Sequence, residues 1–410
     1  NAYILKLFHS LGLHFDASSS YEVKRALCAG VSPSRICLSA QELPGLDDLM
    51  EYVESGVRFN ACSLHQLEQY GLLYERYKRA SEVNSSTSEK LAHFQTCGVR
   101  INPGRGSGGS KTSHIGYSKT NVGGCYSSFG IWHEYIDKIQ TIADTYDLKI
   151  IRIHTHIGSG SDPAVWQLTT SLSLALVAQF PHVHTLNLGG GYKVARMNTE
   201  QNTDLQVIGE PVKVLFQELQ SKTGRSIHVE IEPGTYLVAN SGSTLCRVQD
   251  IVDTIGYSSN HEEKDGHVGC QFLKLDSGMT EVLRPSLYGA QHPIVLLRDK
   301  STAMLDTISA DTNTKTYRYV IVGHCCETGD LFSCQPNEPE VIRNVEFNSA
   351  VNINDLLSIE STGAYCAAMS TKNYNSFPEA PEVMIKTNGE VICIRKKQTM
   401  EQLLQNENCI

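Results

Sequence analysis

The first 236 residues alternate between short apolar runs and longer segments whose apolar residues recur at helical spacing. Seven such runs occur, and the clearest is KIIRIH at 149–154, whose β-branched residues suit a strand buried on both faces. This alternation predicts a parallel α/β sheet. The first recognisable segment, 3–12, is a helix, so we expect a (β/α)8 TIM barrel whose first strand lies upstream of Asn1. An open doubly wound sheet is the alternative, although no G-x-G-x-x-G follows the first strand.

The alternation ends at about residue 237, and strand-like runs follow without long helices between them. The clearest pair is EVMIKT and EVICIRKK, which Asn388 and Gly389 connect. An Asn-Gly dipeptide in this position predicts a hairpin with a type I′ turn. We therefore predict a barrel domain at 1–236 and a mostly antiparallel, β-barrel-like domain at 237–410.

Composition and charge argue against several classes of function. The 410-residue chain has a net charge of −9 and dispersed basic residues, so we expect no nucleic-acid partner. No apolar run is long enough to cross a bilayer, so we expect no membrane span. The 13 cysteines lack the short spacings of a disulfide scaffold or a zinc site. We therefore expect reduced thiols, no bound metal and a cytoplasmic location.

Polar residues or glycines follow several of the predicted strands. They are Asp16, Arg100, His156 with Ser159, Gly189-Gly190-Gly191, and Glu232 with Gly234. In a barrel these strand ends meet on one face. Each has an ordinary explanation: a satisfied core histidine, a tight turn, or an ion pair between Glu232 and Arg100. Together they predict a phosphate-bearing heteroaromatic cofactor, with its phosphate on the glycines, its ring against a histidine and a carboxylate on its ring nitrogen.

Six segments follow, in order and spacing, the motifs of one enzyme family. They are HTHIGSGSD, LNLGGGY, EIEPG, LDSGMTEVLRPSLYGAQHPI, CCETGDLF and GAYCAAMSTKNYNS. In them the sequence resembles the pyridoxal-phosphate-dependent decarboxylases with an alanine-racemase-like barrel, the class 2 Orn/Lys/Arg decarboxylases. Within this family it is similar to the enzymes that convert meso-2,6-diaminopimelate to L-lysine and CO2. The resemblance implies pyridoxal phosphate as the cofactor and a homodimer with shared active sites.

The resemblance also implies roles for individual residues on the cofactor side. His156 would stack on the pyridine ring and Glu232 would pair with the ring nitrogen, which makes both expected catalytic residues. Further cofactor contacts are expected from Asp16, Arg100, Ser159, Gly189, Gly190, Gly191, Gly234 and Tyr365.

On the substrate side, the resemblance implies contacts from Arg284, Tyr288, Glu327 and Tyr365. Arg284 and Tyr288 would hold the carboxylate that is not lost. Cys326, the third expected catalytic residue, would protonate the carbanion in the site of the partner subunit, where Glu327 would bind the distal ammonium group. Structural explanations stay open for each: two buried thiols at Cys325 and Cys326, a loop salt bridge at Arg284, and packing for the tyrosines.

Two departures from the family pattern matter. The family's Schiff-base lysine belongs to a K-A-x-x-N motif, and Asn1 matches the asparagine, so we expect that lysine about four residues upstream. We therefore expect the printed sequence to be an inactive fragment, and a plastid location if the lost piece held a transit peptide. Thr235 stands where most relatives have an arginine, and Lys111 or Lys119 is the candidate for replacing that positive charge.

Two other functions stay open at this point. One is decarboxylation of another basic amino acid or of a carboxynorspermidine-type substrate, although a diamine-forming enzyme would have little use for Arg284. The other is a non-catalytic relative that binds a partner enzyme or only the cofactor. A truly missing upstream lysine would favour that alternative.

Overall fold

The computed structural model describes residues 1–84, 88–105, 122–156, 158, 162–255, 269–298 and 316–408. The chain forms two compact units. Unit 1 contains Asn1–Lys193 and Thr203–Pro233, and unit 2 contains Val194–Asn202 and Gly234–Ile410. The segment Val194–Asn202 belongs to unit 2, where Val194 packs against Ala239 and Ala364.

Unit 1 is built on a parallel sheet. Its strands are β1 (Phe15–Ala17), β2 (Ile36–Leu38), β3 (Arg58–Ala61), β4 (Thr96–Asn102), β5 (Ile131–Trp132), β6 (Lys149–His154), β7 (Thr185–Asn187) and β8 (His228–Glu230). The order is β1-β2-β3-β4-β6-β7-β8, with β5 beside β4, and each of these pairs is parallel. Strand order therefore follows chain order, as it does in a sheet that winds in one direction.

Helices precede and connect these strands. They are α1 (Ala2–Ser10), α2 (Ser20–Cys28), α3 (Leu46–Ser55), α4 (Leu64–Asn84), α5 (Ser88–Phe94), α6 (Ile136–Thr145), α7 (Pro163–Val177) and α8 (Leu205–Thr223), with short 3-10 helices at Pro33–Arg35 and His133–Tyr135. The side chains of Ser19, Asp162 and Asp204 accept hydrogen bonds from the first turns of α2, α7 and α8. These caps serve backbone N–H groups that have no partner within the helix.

Charged side chains show that the sheet of unit 1 is curled. Arg58 of β3 and Arg152 of β6 both form salt bridges with Glu230 of β8. Three strands separate β3 from β8 in the sheet order. In a flat sheet the two strands would lie roughly 19 Å apart, too far for one ion pair. The curl and the parallel order confirm the predicted α/β barrel fold.

Unit 2 consists mainly of antiparallel strands. They are β9 (Thr244–Asp253), β10 (Gln271–Leu275), β11 (Ile294–Leu297), β12 (Tyr317–Val322), β13 (Cys334–Gln335), β14 (Glu338–Ile342), β15 (Val345–Phe347), β16 (Leu356–Ile359), β17 (Glu382–Ile385) and β18 (Val391–Arg395). The main sheet has the order β11-β16-β9-β10-β12-β15, in which β10 and β12 pair in parallel. Its core includes Val248, Leu273, Ile321 and Leu357. A mostly antiparallel second sheet was predicted and is confirmed.

Short helices complete unit 2. They are α9 (Gly234–Val238), α10 (Arg284–Tyr288) and α11 (Met400–Leu404), with 3-10 helices at Ala239–Ser241 and Tyr374–Ser376. Thr399 and Gln402 form a reciprocal capping box at the start of α11.

The hairpin predicted from the Asn-Gly dipeptide is present, but its turn type was predicted wrongly. A type I′ turn needs a positive φ at both central residues, and of these two only Gly389 has one, at +84°. Ile385 pairs with Val391, and Lys386 N–H donates to Glu390 O at 2.9 Å. This register leaves an odd number of residues in the loop, so Gly389 alone takes the left-handed conformation.

Among the described helices, none is long and apolar enough to span a membrane. The described residues contain no group of three or more His, Cys, Asp or Glu side chains that could hold a metal ion. The twelve cysteines in the described part of the chain are free thiols.

Candidate active site

The ends of neighbouring parallel strands bring polar residues together in unit 1. The register places Arg100 of β4 beside His154 of β6, and His154 beside Asn187 of β7. Beyond the strands, Glu232 N–H donates to Gly189 O at 2.9 Å. The chain after β8 therefore stays against the chain after β7, and these residues lie at one end of the sheet.

Glu232 is a largely buried carboxylate whose close neighbours are neutral. Asn187 Nδ2 donates to Glu232 Oε1 at 2.7 Å, and the Glu232 side chain is 23% exposed. His154 Nε2 lies 3.3 Å from the same oxygen without forming a hydrogen bond. Burial lowers the pKa of His154 well below its usual value, so this ring is uncharged. Burial likewise raises the pKa of Glu232, and a carboxylate in this state favours a cationic partner.

Arg100 does not form the ion pair with Glu232 that sequence analysis left open. Its guanidinium carbon lies 5.2 Å from the centre of the Phe129 ring, and the salt bridges of the described residues do not include an Arg100–Glu232 pair. The charge of Arg100 nevertheless lowers the pKa of Glu232, after the larger effects of burial and Asn187. Arg100 therefore acts on the site as a cation at a distance.

Gly189 and Gly190 form a turn into which no side chain would fit. Gly189 has φ +72°, and a Cβ there would lie 2.2 Å from His156 Nδ1. A Cβ on Gly190 would lie 2.4 Å from Glu232 O. Gly190 N–H donates to His156 Nδ1 at 2.9 Å, which leaves the proton of the neutral ring on Nε2. Burial, with the charge of Arg100, lowers the pKa of His156 to about 4, so the ring is neutral near pH 7.

Asn187 joins the glycine turn to Glu232 and is a site residue that sequence analysis missed. Its Oδ1 accepts from Gly189 N–H at 2.8 Å, and its Nδ2 donates to Glu232 Oε1. The signal was present, because an amide interrupts the apolar run LNL just before the glycines. A buried amide needs partners at both ends, and at a strand end those partners belong to the site.

Asp16 of β1 is a second carboxylate within the curled sheet. Its Oδ1 accepts from Ser39 Oγ at 2.9 Å, and Ser39 Oγ accepts from Asn60 Nδ2 at 2.8 Å. The side chain is accessible to water. Desolvation of the carboxylate by the surrounding protein, followed by the charge of Glu232, nevertheless raises the pKa of Asp16. The two carboxylates therefore affect one another, and a bound cationic group would be stabilised by both.

The remaining cofactor positions lie outside this cluster or outside the described residues. Ser159, Lys111 and Lys119 fall outside the described residues. Gly191 continues the glycine turn with φ +101°. Gly234 begins α9 in unit 2, where a Cβ would meet nothing within 4 Å. Packing within the described residues therefore does not require a glycine at that position.

In unit 2, Arg284 and Tyr288 stand at the two ends of α10. Arg284 Nη1 donates to His292 Nε2 at 3.0 Å, and His292 Nδ1 donates to Glu360 O at 2.9 Å. Burial lowers the pKa of Arg284, while neighbouring groups that include Tyr288 and Tyr365 raise it. The hydrogen-bond partner of Arg284 is therefore an imidazole rather than the acid of a loop salt bridge.

The loop after β12 presents Cys326 and Glu327 as exposed side chains. Asp330 anchors this loop, because its Oδ2 accepts from Cys325 N–H at 2.8 Å. Cys326 N–H donates to Asn375 Oδ1 at 2.9 Å. The alternative that both thiols are buried is therefore wrong for Cys326.

His292 makes unit 2 sensitive to acid. It is 2% exposed, and burial lowers its pKa from the usual 6.5 to about 4, against the effect of its bond to Glu360 O. Protonation of Nε2 would set an N–H against the guanidinium of Arg284. In the unfolded chain the ring binds a proton below its usual pKa, so stability that is present above pH 6.5 is lost as the pH falls towards 4.

We expect His292 to account for a loss of about 3 kcal/mol in the free energy of unfolding between pH 7 and pH 4. His292→Gln keeps an acceptor for Arg284 and should remove this part of the pH dependence. Urea unfolding at several pH values measures it, with His65→Gln at an exposed position as the control. A His292→Gln protein with the same pH dependence as the parent would contradict the assignment.

The side chains at the strand ends of unit 1 fit pyridoxal phosphate. Gly189, Gly190 and Gly191 form a turn without side chains, the type of backbone that a phosphate approaches closely. The N–H groups of Gly189 and Gly190 already donate to Asn187 Oδ1 and His156 Nδ1. The neutral ring of His156 offers a flat aromatic surface. Glu232 is a carboxylate that favours a cation, which a protonated ring nitrogen supplies.

The chain matches two family models of pyridoxal-dependent decarboxylases. Residues 1–239 match the family described as pyridoxal-dependent decarboxylase, pyridoxal binding domain, and residues 125–363 match pyridoxal-dependent decarboxylase, C-terminal sheet domain. The chain is 30% identical to the diaminopimelate decarboxylase of Streptomyces coelicolor, over 99% of this chain and 82% of that protein.

Two further similarities point the same way. The Escherichia coli K12 diaminopimelate decarboxylase is also 30% identical, over 99% of this chain and 86% of that protein. A crystal structure of a diaminopimelate decarboxylase that is 29% identical has a TM-score of 0.79 and covers 99% of this chain and 86% of that chain. The chain therefore belongs to the pyridoxal-dependent decarboxylase family, in the group of the diaminopimelate decarboxylases.

Proposed function

We propose that this protein converts meso-2,6-diaminopimelate to L-lysine and CO2 with pyridoxal phosphate. A cofactor-binding domain at 1–236 would hold the cofactor, and a C-terminal β domain at 237–410 would supply substrate contacts. The observation that carries the proposal is the largely buried carboxylate of Glu232, which Asn187 holds beside the Gly189–Gly190 turn. The names of the full-length relatives support diaminopimelate over other basic amino acids.

The residues of unit 1 would serve the cofactor. Bound pyridoxal phosphate supplies a sink for the electron pair that departing CO2 leaves behind. Glu232 would keep a proton on the ring nitrogen, because burial and the nearby carboxylate of Asp16 both make a cationic partner favourable. His156 would lie against the ring without adding a charge, since its pKa is lowered to about 4.

We propose that unit 2 supplies the substrate contacts. Arg284 would bind the carboxylate that is retained, with Tyr288 and Tyr365 beside it. Cys326 would deliver a proton to the carbon that loses CO2, and Glu327 would bind the distal ammonium group. Because both side chains are exposed on one loop, we propose that they act in a homodimer, in the site of the partner subunit.

The test is a product assay with the full-length protein and pyridoxal phosphate. We expect lysine and CO2 in equal amounts from meso-diaminopimelate. L-ornithine, L-arginine and carboxynorspermidine lack the second α-amino carboxylate and should react at least about 100-fold more slowly. If one of these compounds reacted faster than meso-diaminopimelate, that compound would replace meso-diaminopimelate as the proposed substrate. Cofactor binding without turnover of any of them would favour the non-catalytic alternative.

A further inference from the structure

Unit 2 contains a second arginine, Arg196, that is tied to the same stretch of backbone as Arg284. Arg196 Nε donates to Ser361 O at 3.4 Å. Arg284 is connected to Glu360, the residue before Ser361, through His292. Arg284 Nη1 donates to His292 Nε2, and His292 Nδ1 donates to Glu360 O at 2.9 Å. Arg196 directly, and Arg284 through the imidazole of His292, are therefore connected to consecutive residues just after β16.

The positive charge of this pair is only partly neutralised by the described residues. The carboxylate of Glu200 raises the pKa of both arginines, although its Oε2 accepts from the backbone N–H groups of Arg196 and Met197 at 2.8 and 3.2 Å rather than from a guanidinium. In the described part of unit 2, the salt bridges include neither Arg196 nor Arg284. His292 is neutral, because burial lowers its pKa to about 4. The two arginines therefore carry a net positive charge in a half-buried position.

Arg196 also has an unused donor. Its Nη2 is buried and has no hydrogen-bond partner in the part of the chain that the structure describes. Burial, followed by the charge of Arg284, lowers the pKa of Arg196 to about 10, which still leaves it charged near neutral pH. A buried, charged N–H without an acceptor is costly, and a bound anion would supply that acceptor.

We propose that Arg196 binds the retained carboxylate of the substrate together with Arg284. This inference rests on the proposed function and assigns a second cation to substrate recognition. A carboxylate has two oxygens that accept from guanidinium N–H groups, so two arginines on adjacent anchors suit one such group. Arg196 is thus a specificity residue for an amino acid that keeps a carboxylate, as opposed to a diamine.

The test compares Arg196→Gln and Arg196→Lys with a matched control in the full-length holoenzyme. The control is Arg298→Gln, because Arg298 is also a half-buried arginine of unit 2 but pairs with Asp355 at 3.1 Å. Arg196→Gln should raise KM for meso-diaminopimelate about 10- to 100-fold and change kcat less than about threefold, as expected for loss of one charge-assisted hydrogen bond in the bound substrate. Arg196→Lys keeps the charge and should give an intermediate KM. Arg298→Gln should leave KM unchanged.

Two ligands separate carboxylate recognition from a structural role. L-lysine carries the retained carboxylate, and 1,5-diaminopentane is the same diamine without it. Arg196→Gln should weaken inhibition by L-lysine as much as it raises KM, and leave inhibition by the diamine and the affinity for pyridoxal phosphate unchanged. Equal weakening of both ligands, or a lower affinity for the cofactor phosphate with an unchanged KM, would overturn the proposal.

The inference and the proposed function fail in different ways. If the parent protein does not act on meso-diaminopimelate, the proposed function fails. The dissociation constants of L-lysine and 1,5-diaminopentane still test Arg196 by direct titration. If Arg196→Gln does not fold, Arg196→Lys takes its place, and an unchanged affinity for L-lysine in that variant would contradict the contact from Arg196 Nη2.

Discussion

Replacing Glu232 with glutamine is expected to lower kcat by about 100- to 1000-fold, the usual effect of removing one electrostatic group at a reaction centre. The amide has nearly the same shape but carries no negative charge. It therefore cannot hold a proton on the ring nitrogen of the cofactor. The adjacent Asn187 and His154 are neutral, and the other carboxylate, Asp16, accepts a hydrogen bond from Ser39, so no described neighbour replaces the charge of Glu232 at its position. Steady-state assays at saturating pyridoxal phosphate measure the loss.

Glu230→Gln is the matched control for this change, because Glu230 lies two residues earlier in the same segment and its side chain is buried to a similar extent. It pairs with Arg152 and Arg58 rather than with the site. We expect Glu230→Gln to lower the melting temperature while kcat, measured well below that temperature, stays within about threefold, because a broken ion pair costs stability rather than chemistry. A Glu232→Gln enzyme that kept its kcat would remove Glu232 from the catalytic residues.

Replacing Gly189 with alanine is expected to cost both stability and cofactor affinity. The φ of +72° already disfavours any residue with a Cβ, and that Cβ would lie 2.2 Å from His156 Nδ1. The backbone conformation alone costs about 1–2 kcal/mol, and relief of the clash must move either the turn or the ring. We expect at least about 3 kcal/mol lost in unfolding free energy in total.

Gly224→Ala separates the two parts of that cost. Gly224 follows α8 with nearly the same φ, +71°, but a Cβ there would meet nothing within 4 Å. We expect this control to lose only the conformational part, about 1–2 kcal/mol, and to bind pyridoxal phosphate normally. Gly189→Ala should weaken cofactor binding at least about 100-fold, because it displaces His156 from the turn. Urea unfolding and visible absorbance titrations measure both, and equal results for the two variants would contradict the role of the turn.

The elements that sequence analysis missed are the short ones. β5 has two residues, and β13 to β16 have two to five. Such runs are too short to show a period of two residues, so their pairing depends on partners elsewhere in unit 2. The helix α5 was missed because its seven residues follow the long α4 closely. The type I′ turn was predicted wrongly because register, not the Asn-Gly dipeptide, sets loop length.

Some residues at the strand ends can be predicted from the sequence, and others depend on contacts between distant parts of the chain. His156, Gly189 and Glu232 follow apolar runs that predict strands, so their shared position follows from parallel order. Asn187 was missed although it precedes the glycines, because a single polar residue in a strand does not indicate a functional site until its hydrogen-bond partners are known. Arg196 was missed because its acceptor, Ser361 O, is 165 positions away in the chain.

The α/β class, the change to antiparallel strands and the family can be predicted from the sequence, because hydrophobic period and motif spacing are local properties of the chain. The tertiary structure, in contrast, sets which groups meet. It holds Asn187 between Gly189 and Glu232, and it places Arg196 and Arg284 on adjacent anchors. It also makes the buried histidines neutral, because pKa values depend on burial and on charges brought from distant parts of the chain.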